Sequence, residues 1–102
     1  MAMKNIAVLT SGGDAPGMNA CIRSIVRTSN HLGINTFGIQ YGYQGLIENN
    51  IKILNPKDVG NTIHIGGTIL KTARSDEFRT KKGRDKAYNN LIKNNIDGMI
   101  VL

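Results

Sequence analysis

An open α/β sheet, mainly parallel and covered by helices on both faces, is the fold class this sequence predicts. Two observations carry that expectation. Short apolar runs, Ile6-Ala7-Val8-Leu9 near one end and Met99-Ile100-Val101-Leu102 near the other, read as strands, the first of them buried. Between them, segments with helical spacing alternate with strand-like ones through short links, as in βαβ units. The composition agrees. Of 102 residues, 40% are apolar and 20% charged, and 12 glycines accompany only two prolines. A chain of this length makes one small domain that buries roughly two-thirds of the surface its unfolded form exposes.

The first strand runs into Thr10-Ser11-Gly12-Gly13-Asp14, a tight loop at a strand's carboxyl end. Over 17–32, Met18, Ile22, Ile25, Ser29 and Leu32 recur at spacings of three and four, which predicts one face of an amphipathic helix. Gly33 is placed to end it. Thr36-Phe37-Gly38-Ile39 predicts a second strand, and Gly42 and Gly45 bracket Tyr43 in what reads as a turn. Ile51-Lys52-Ile53-Leu54 alternates weakly. Asn55-Pro56 resembles an N-cap followed by proline at the first helical position, so a short helix is expected to run to His64, where Gly66-Gly67 breaks the chain. A further helix is expected over 81–94 with Ala87, Tyr88, Leu91 and Ile92 inward, leading into the last strand.

The formal charge of +6 favours anionic partners: nucleic acid, a membrane surface or phosphorylated small molecules. The basic residues are dispersed, however, and their densest stretch, 74–86, also holds Asp76, Glu77 and Asp85. That mixture reads as a solvated helix face and makes nucleic acid a weak hypothesis. Cys21 stands alone, which excludes an internal disulfide, and is expected to be a small core residue. No apolar run is long enough to span a bilayer, and Met1-Ala2-Met3-Lys4 leads into a strand without the apolar stretch of a signal peptide. The expectation is a cytoplasmic protein with no membrane or nucleic-acid partner. Neither His31 nor His64 has metal-ligating partners at a suitable spacing; His31 reads as surface and His64 as structural.

Three places could carry chemistry. Ser11-Gly12-Gly13-Asp14-Ala15-Pro16-Gly17-Met18-Asn19 opens a helix at a strand's carboxyl end, where unpaired N–H groups and the helix dipole favour anions. It is neither a Walker loop nor GxGxxG, and a tight turn without a ligand fits it as well. Arg23 and Arg27, one turn apart, could clamp a phosphate or simply face water. Gly66-Gly67-Thr68-Ile69-Leu70-Lys71-Thr72-Ala73-Arg74 is a second glycine-opened loop, whose arginine could meet a transferred phosphate or a neighbouring carboxylate. Tyr43 could stack on a base or pack in its turn.

Taken together, these stretches resemble the ATP-dependent phosphofructokinases of bacterial type. The run from Leu9 to Ala20, Gly42-Tyr43-Gln44-Gly45-Leu46, Gly66-Gly67-Thr68-Ile69-Leu70 with Thr72-Ala73-Arg74, and Glu77-Phe78 recur in that family's order and spacing. The resemblance implies that residues 1–102 are the amino-terminal part of a Rossmann-like nucleotide-binding domain. It implies transfer of the ATP γ-phosphoryl group to fructose 6-phosphate, in glycolysis, with magnesium. By position, Gly13 would cradle ATP phosphates, Tyr43 would lie near the adenosine, and Arg74 with Ser75 would reach the phosphates, Arg74 supporting transfer. Arg23, Ser24, Ile25, Val26 and Arg27 match an allosteric site for an ADP-type effector. Pro56, Lys57, Asp58, Val59, Gly60 and Asn61 would approach the same effector from a neighbouring subunit of a homotetramer.

Departures from the pattern are Ser75 in place of a common cysteine, Ile65 in place of a polar residue before Gly66-Gly67, and Lys71 in place of an aromatic or small residue. Loss of charge at Ile65 bears on effector coupling. The family's magnesium loop, catalytic base and sugar-phosphate arginines would follow Leu102, so these 102 residues alone are expected to lack kinase activity. A sheet edge and an apolar helix face are expected to be uncovered. Three readings follow: the first part of a glycolytic kinase, a stand-alone nucleotide- or phosphate-binding remnant, and a basic nucleic-acid binder far behind them.

Overall fold

Alternation along the first strand decides the layering. In the computed structural model, which describes residues 4–11, 15–60, 69–73 and 75–102, β1 spans Asn5–Leu9 and is buried from Ile6 onward. Ala7 and Leu9 point into one apolar cluster and Val8 into another, because successive side chains of a strand face opposite ways. A strand covered on both faces needs apolar residues at every position, which is why its sequence shows no polar alternation.

One cluster is closed by α1 (Ala15–His31), which brings Ile22 and Val26 against Val8, Leu54, Val59 and Leu70. The other is closed by α2 (Gly42–Ile47) and α3 (Lys81–Lys93), through Leu46, Ile47 and Ala87 against Ala7, Leu9 and Ile39. Helices therefore lie on both faces, as expected. The remaining strands are β2 (Asn35–Ile39), β3 (Ile51–Leu54) and β4 (Gly98–Val101), and the sheet order is β3-β2-β1-β4. β1 pairs in parallel with both neighbours, Ala7 lying opposite Phe37 on one side and Met99 on the other.

β3 runs antiparallel to β2, with Phe37 opposite Ile53. The physical reason is the connection. A parallel return needs a helix long enough to carry the chain back along the sheet. The six residues of α2 advance only about 9 Å at 1.5 Å per residue, so the chain turns where it stands. The Gln40 N–H to Asn50 carbonyl bond, 3.1 Å, joins the two strands beside that turn.

Helix ends follow local chemistry. Gly33 takes φ +77° after α1, and the N–H groups of Gly33 and Ile34 bond the carbonyls of Asn30 and Ser29, a Schellman arrangement. Asn95 plays the same part after α3 at φ 57°, with Ile96 N–H on the Leu91 carbonyl. Thr80 caps the start of α3 by accepting the Gly83 N–H at 2.9 Å.

Several expectations are corrected. The segment from Gly42 is a helix rather than a turn. The stretch from Pro56 is a 3₁₀ turn, Pro56–Val59, and the expected continuation over 61–64 lies outside the described residues, as do His64, Ile65 and Gly66-Gly67. Leu32 is 65% exposed, since the helix has already ended and its stripe position falls in the cap. Cys21 is exposed, one residue off the buried line of Met18, Ile22 and Val26. On α3 the buried line runs through Gly83, Ala87 and the half-buried Leu91, which leaves Tyr88 and Ile92 a third of a turn away and exposed. The exposure of Met99, Ile100 and Val101 on the edge strand β4 agrees, by contrast, with the expected uncovered sheet edge.

Candidate functional site

At the carboxyl ends of β1 and β2, a segment far along the chain is fastened to the sheet. The Tyr41 N–H donates to the Leu70 carbonyl at 2.9 Å, and Thr10 Oγ1 donates to the Lys71 carbonyl at 3.0 Å. From the α1 side, buried Asn19 accepts the Ile69 N–H on Oδ1 at 2.8 Å. Three points thus hold residues 69–71 against the strand ends, where ligands collect in open α/β sheets. Tyr41 and Lys71 both take left-handed backbone, φ 64° and 61°, and the Lys71 ammonium lies 5.6 Å from the Tyr41 ring centre.

The other end of this segment is held by side chains. Ser75 Oγ donates to Gln44 Oε1 at 2.8 Å and accepts the Phe78 N–H at 3.2 Å. Tyr43, half-buried on α2, stacks on Phe78 of the 3₁₀ turn Glu77–Arg79, with ring centres 4.2 Å apart and planes 24° from parallel. Glu77 accepts from Lys86 at 3.1 Å, which holds its carboxyl below the usual range, with the Gln44 amide adding to the effect. Asn90 of α3 donates to the Leu46 and Ile47 carbonyls at 2.7 and 3.0 Å, satisfying the end of α2 and locking the two helices together.

Of the sequence-predicted nucleotide residues, Tyr43, expected near the adenosine, and Ser75, expected at the phosphates, come together here through Phe78 and Gln44. Gly13 and Arg74 lie outside the described residues. Asn19 and Gln44 went unread in the sequence. Asn19 opens the polar side of a glycine-rich stretch, and a buried amide two residues after Gly17 was the available signal.

A second place lies on α1. Ala20, Arg23, Ser24, Arg27 and Thr28 line an open groove of about 420 Å³. The Arg23 Nε is buried and has no hydrogen-bond partner among the described residues, and neither arginine has an ion pair there. An unmet guanidinium donor beside a second arginine is suited to an anion with several oxygens. Val26 turns into the core and Ile25 packs at its margin, so neither side chain lines the groove. Of the stretch beginning at Pro56, Val59 is fully buried against α1, Lys57 is exposed, and Asp58 accepts the Asn55 N–H at 2.7 Å. Asn61 lies outside the described residues. Among the described residues no three metal-ligating side chains cluster, and no helix is long and apolar enough to cross a membrane.

Comparison with known proteins places the chain in a family. Residues 5–102 match the family model described as Phosphofructokinase. A protein of Natranaerobius thermophilus named ATP-dependent 6-phosphofructokinase is 53% identical over 100 residues, covering 98% of this chain and 31% of the relative. One of Finegoldia magna, with the same name, is 55% identical over 100 residues, again covering 98% and 31%. The chain therefore spans under a third of the length of the curated relatives it matches. Among solved structures, phosphofructokinase from Saccharomyces cerevisiae superposes with a TM-score of 0.90 at 47% identity, over 96% of this chain and 13% of that one. The Pichia pastoris enzyme in the T-state does so at 0.89 and 43%, over 99% and 11%. With one family pattern running from residue 5 to residue 102 and the same backbone found in two solved phosphofructokinases, the chain belongs to the phosphofructokinase family.

Proposed function

We propose that this chain is part of an ATP-dependent 6-phosphofructokinase, which moves the γ-phosphoryl group of ATP to fructose 6-phosphate and yields fructose 1,6-bisphosphate. Identity above 50% to proteins of that name, across 98% of the chain, carries the reading. Such transfer depends on positioning and on charge placed around the moving phosphoryl group. In this reading Tyr43 lies beside the adenosine, while Gly13, Arg74 and Ser75 attend the phosphates. Magnesium would offset phosphate charge, and its ligands are assigned to the rest of the enzyme.

The groove of Arg23, Ser24 and Arg27 is assigned to an ADP-type effector. The stretch from Pro56 to Asn61 approaches the effector of a neighbouring subunit in a homotetramer through Pro56, Lys57, Asp58, Gly60 and Asn61, while Val59 anchors it to α1. A cytoplasmic location goes with this reading. The test is turnover by the full-length protein with fructose 6-phosphate and either ATP or pyrophosphate. ATP-dependent formation of the bisphosphate is expected, and none from the 102 residues alone. Turnover with pyrophosphate but not ATP would overturn the donor assignment.

A further inference from the structure

Residues 69–71 are held to the strand ends and to α1 by bonds that involve their own backbone. Among the described residues, Ser75 is tied to α2 by a side-chain hydrogen bond to Gln44. The Gln44 amide is fully engaged. Its oxygen accepts the serine hydroxyl, and its nitrogen donates to Glu48 Oε2 at 3.0 Å and, more weakly, to Glu77 Oε1 at 3.5 Å. Two carboxylates on the nitrogen side fix which way the amide points. Reversing it would set its oxygen against both. The serine hydroxyl is fixed in turn, since it must donate to Gln44 while accepting the Phe78 N–H.

This chain of bonds brackets the Tyr43–Phe78 stack. Tyr43 precedes Gln44 on α2, and Phe78 takes its N–H partner from Ser75. The relay Gln44 to Ser75 to Phe78 therefore ties the two rings to each other, beside the core packing that both make. The backbone next to Gln44 is closely seated. The next residue, Gly45, lies so close to the Gln40 carbonyl that a Cβ there would collide with it.

We propose that Gln44, acting through Ser75, is a positioning residue for the donor nucleotide, holding the Tyr43–Phe78 stack in place as one ordered surface against which the adenosine lies. The proposal rests on the phosphofructokinase reading for its ligand. A stack held this way is pre-ordered, so the nucleotide does not have to order it on binding. Within the relay it is Ser75 that also attends the phosphates, whereas Gln44 acts only through it.

The test uses the full-length enzyme with Gln44→Met, which keeps length and removes both hydrogen-bonding ends, and with Ser75→Ala. Gln44→Met is expected to raise KM for ATP about three- to tenfold, to leave kcat within about twofold, and to leave KM for fructose 6-phosphate unchanged. Ser75→Ala, at a residue that also attends the phosphates, is expected to raise KM for ATP at least as much. The double variant is expected to be no worse than the more impaired single one, because both break one relay. A merely structural role would instead lower kcat and move both KM values along with the melting temperature. Unchanged KM for ATP in Gln44→Met, or effects that multiply in the double variant, would overturn the proposal. Calorimetric titration with ATP separates this from the functional reading. A wild-type protein that binds ATP without turning over, and binds it more weakly as Gln44→Met, keeps the relay and loses the reaction. One that binds no ATP at all loses both.

Discussion

At the strand ends, residues from β1, β2, α1, α2 and the 69–78 stretch meet through neutral hydrogen bonds, nearly every one reaching across tens of residues of sequence. On α1, Arg23 and Arg27 belong to one turn of one helix, and their charges find no partner among the described residues. The first place is an assembly and the second is a display. An assembly fails when its backbone is displaced, because every member relies on the others' positions. A display fails when its charge is removed, and the fold scarcely registers the loss. That contrast can be broken experimentally.

The largest effect is expected at Gly45. Any Cβ there would land on the Gln40 carbonyl, which also belongs to the turn between β2 and β3. The obstacle is backbone and cannot rotate away, so Gly45→Ala should fall at the upper end of the roughly 1–3 kcal/mol typical of overpacking. It should also weaken ATP binding, since Gln44 and Tyr43 move with it. Urea unfolding measures the first and calorimetry the second. A variant with an unaltered midpoint would show that the strand-end assembly tolerates displacement after all. Gly83 makes the same close approach to the Glu77 carbonyl from α3, and Gly83→Ala should act in the same direction.

Much of this was legible in the sequence, and the pattern of what was not is instructive. β1, α1 and the run into Thr10 are visible because periodicity reports burial directly. Strand direction is not encoded in periodicity, so β3 read like its neighbours although it runs the other way. Its orientation follows from the shortness of α2, itself hidden because Gly42 and Gly45 signal a turn. Those glycines are there for close approach rather than for bending alone. Gln44 looked like an ordinary polar residue between glycines, and only the fold brings Ser75, 31 positions away, to its amide. Tyr88 and Ile92 were expected inward because apolar residues usually are, but they lie off the line that α3 buries.

A middle-sized and more selective effect is expected in the groove. Arg23→Ala and Arg27→Ala should each weaken ADP binding about tenfold or more, given that hydrogen bonds to charged groups contribute roughly 1.5–3 kcal/mol. Stability should change by no more than about 0.5 kcal/mol, as for surface positions without partners. For Arg23 it could even rise, since the substitution removes a buried donor that has nothing to bond. Raising salt should weaken ADP binding to the wild type more than to either variant, because screening acts on the charges that were removed. A stability loss as large as the loss of ADP binding would make the groove part of the assembly and erase the contrast.

The smallest effect is expected at the opposite end of the sheet, where a single carboxylate does the anchoring. Asp97 Oδ2 accepts the N–H groups of Lys4 and Asn5 at 2.8 and 2.9 Å, tying the entry of β1 to that of β4. These bonds, that from Asn5 first, hold the carboxyl below its usual range. A lowered folded-state pKa means the charged form is favoured by folding. The resulting stability is fully present above the unfolded value of about 3.9 and is lost as pH falls through the lower folded value. Asp97→Asn keeps an accepting oxygen but no charge, so its melting temperature should lie slightly below that of the wild type at pH 7. The gap should close as pH is lowered past about 4. The carboxyl is exposed and its contribution screened, and neither the strand-end assembly nor the groove lies near it. Affinities for ATP and ADP should therefore match the wild type. A gap that persisted to the lowest pH would mean that Asp97 acts by shape and not by charge.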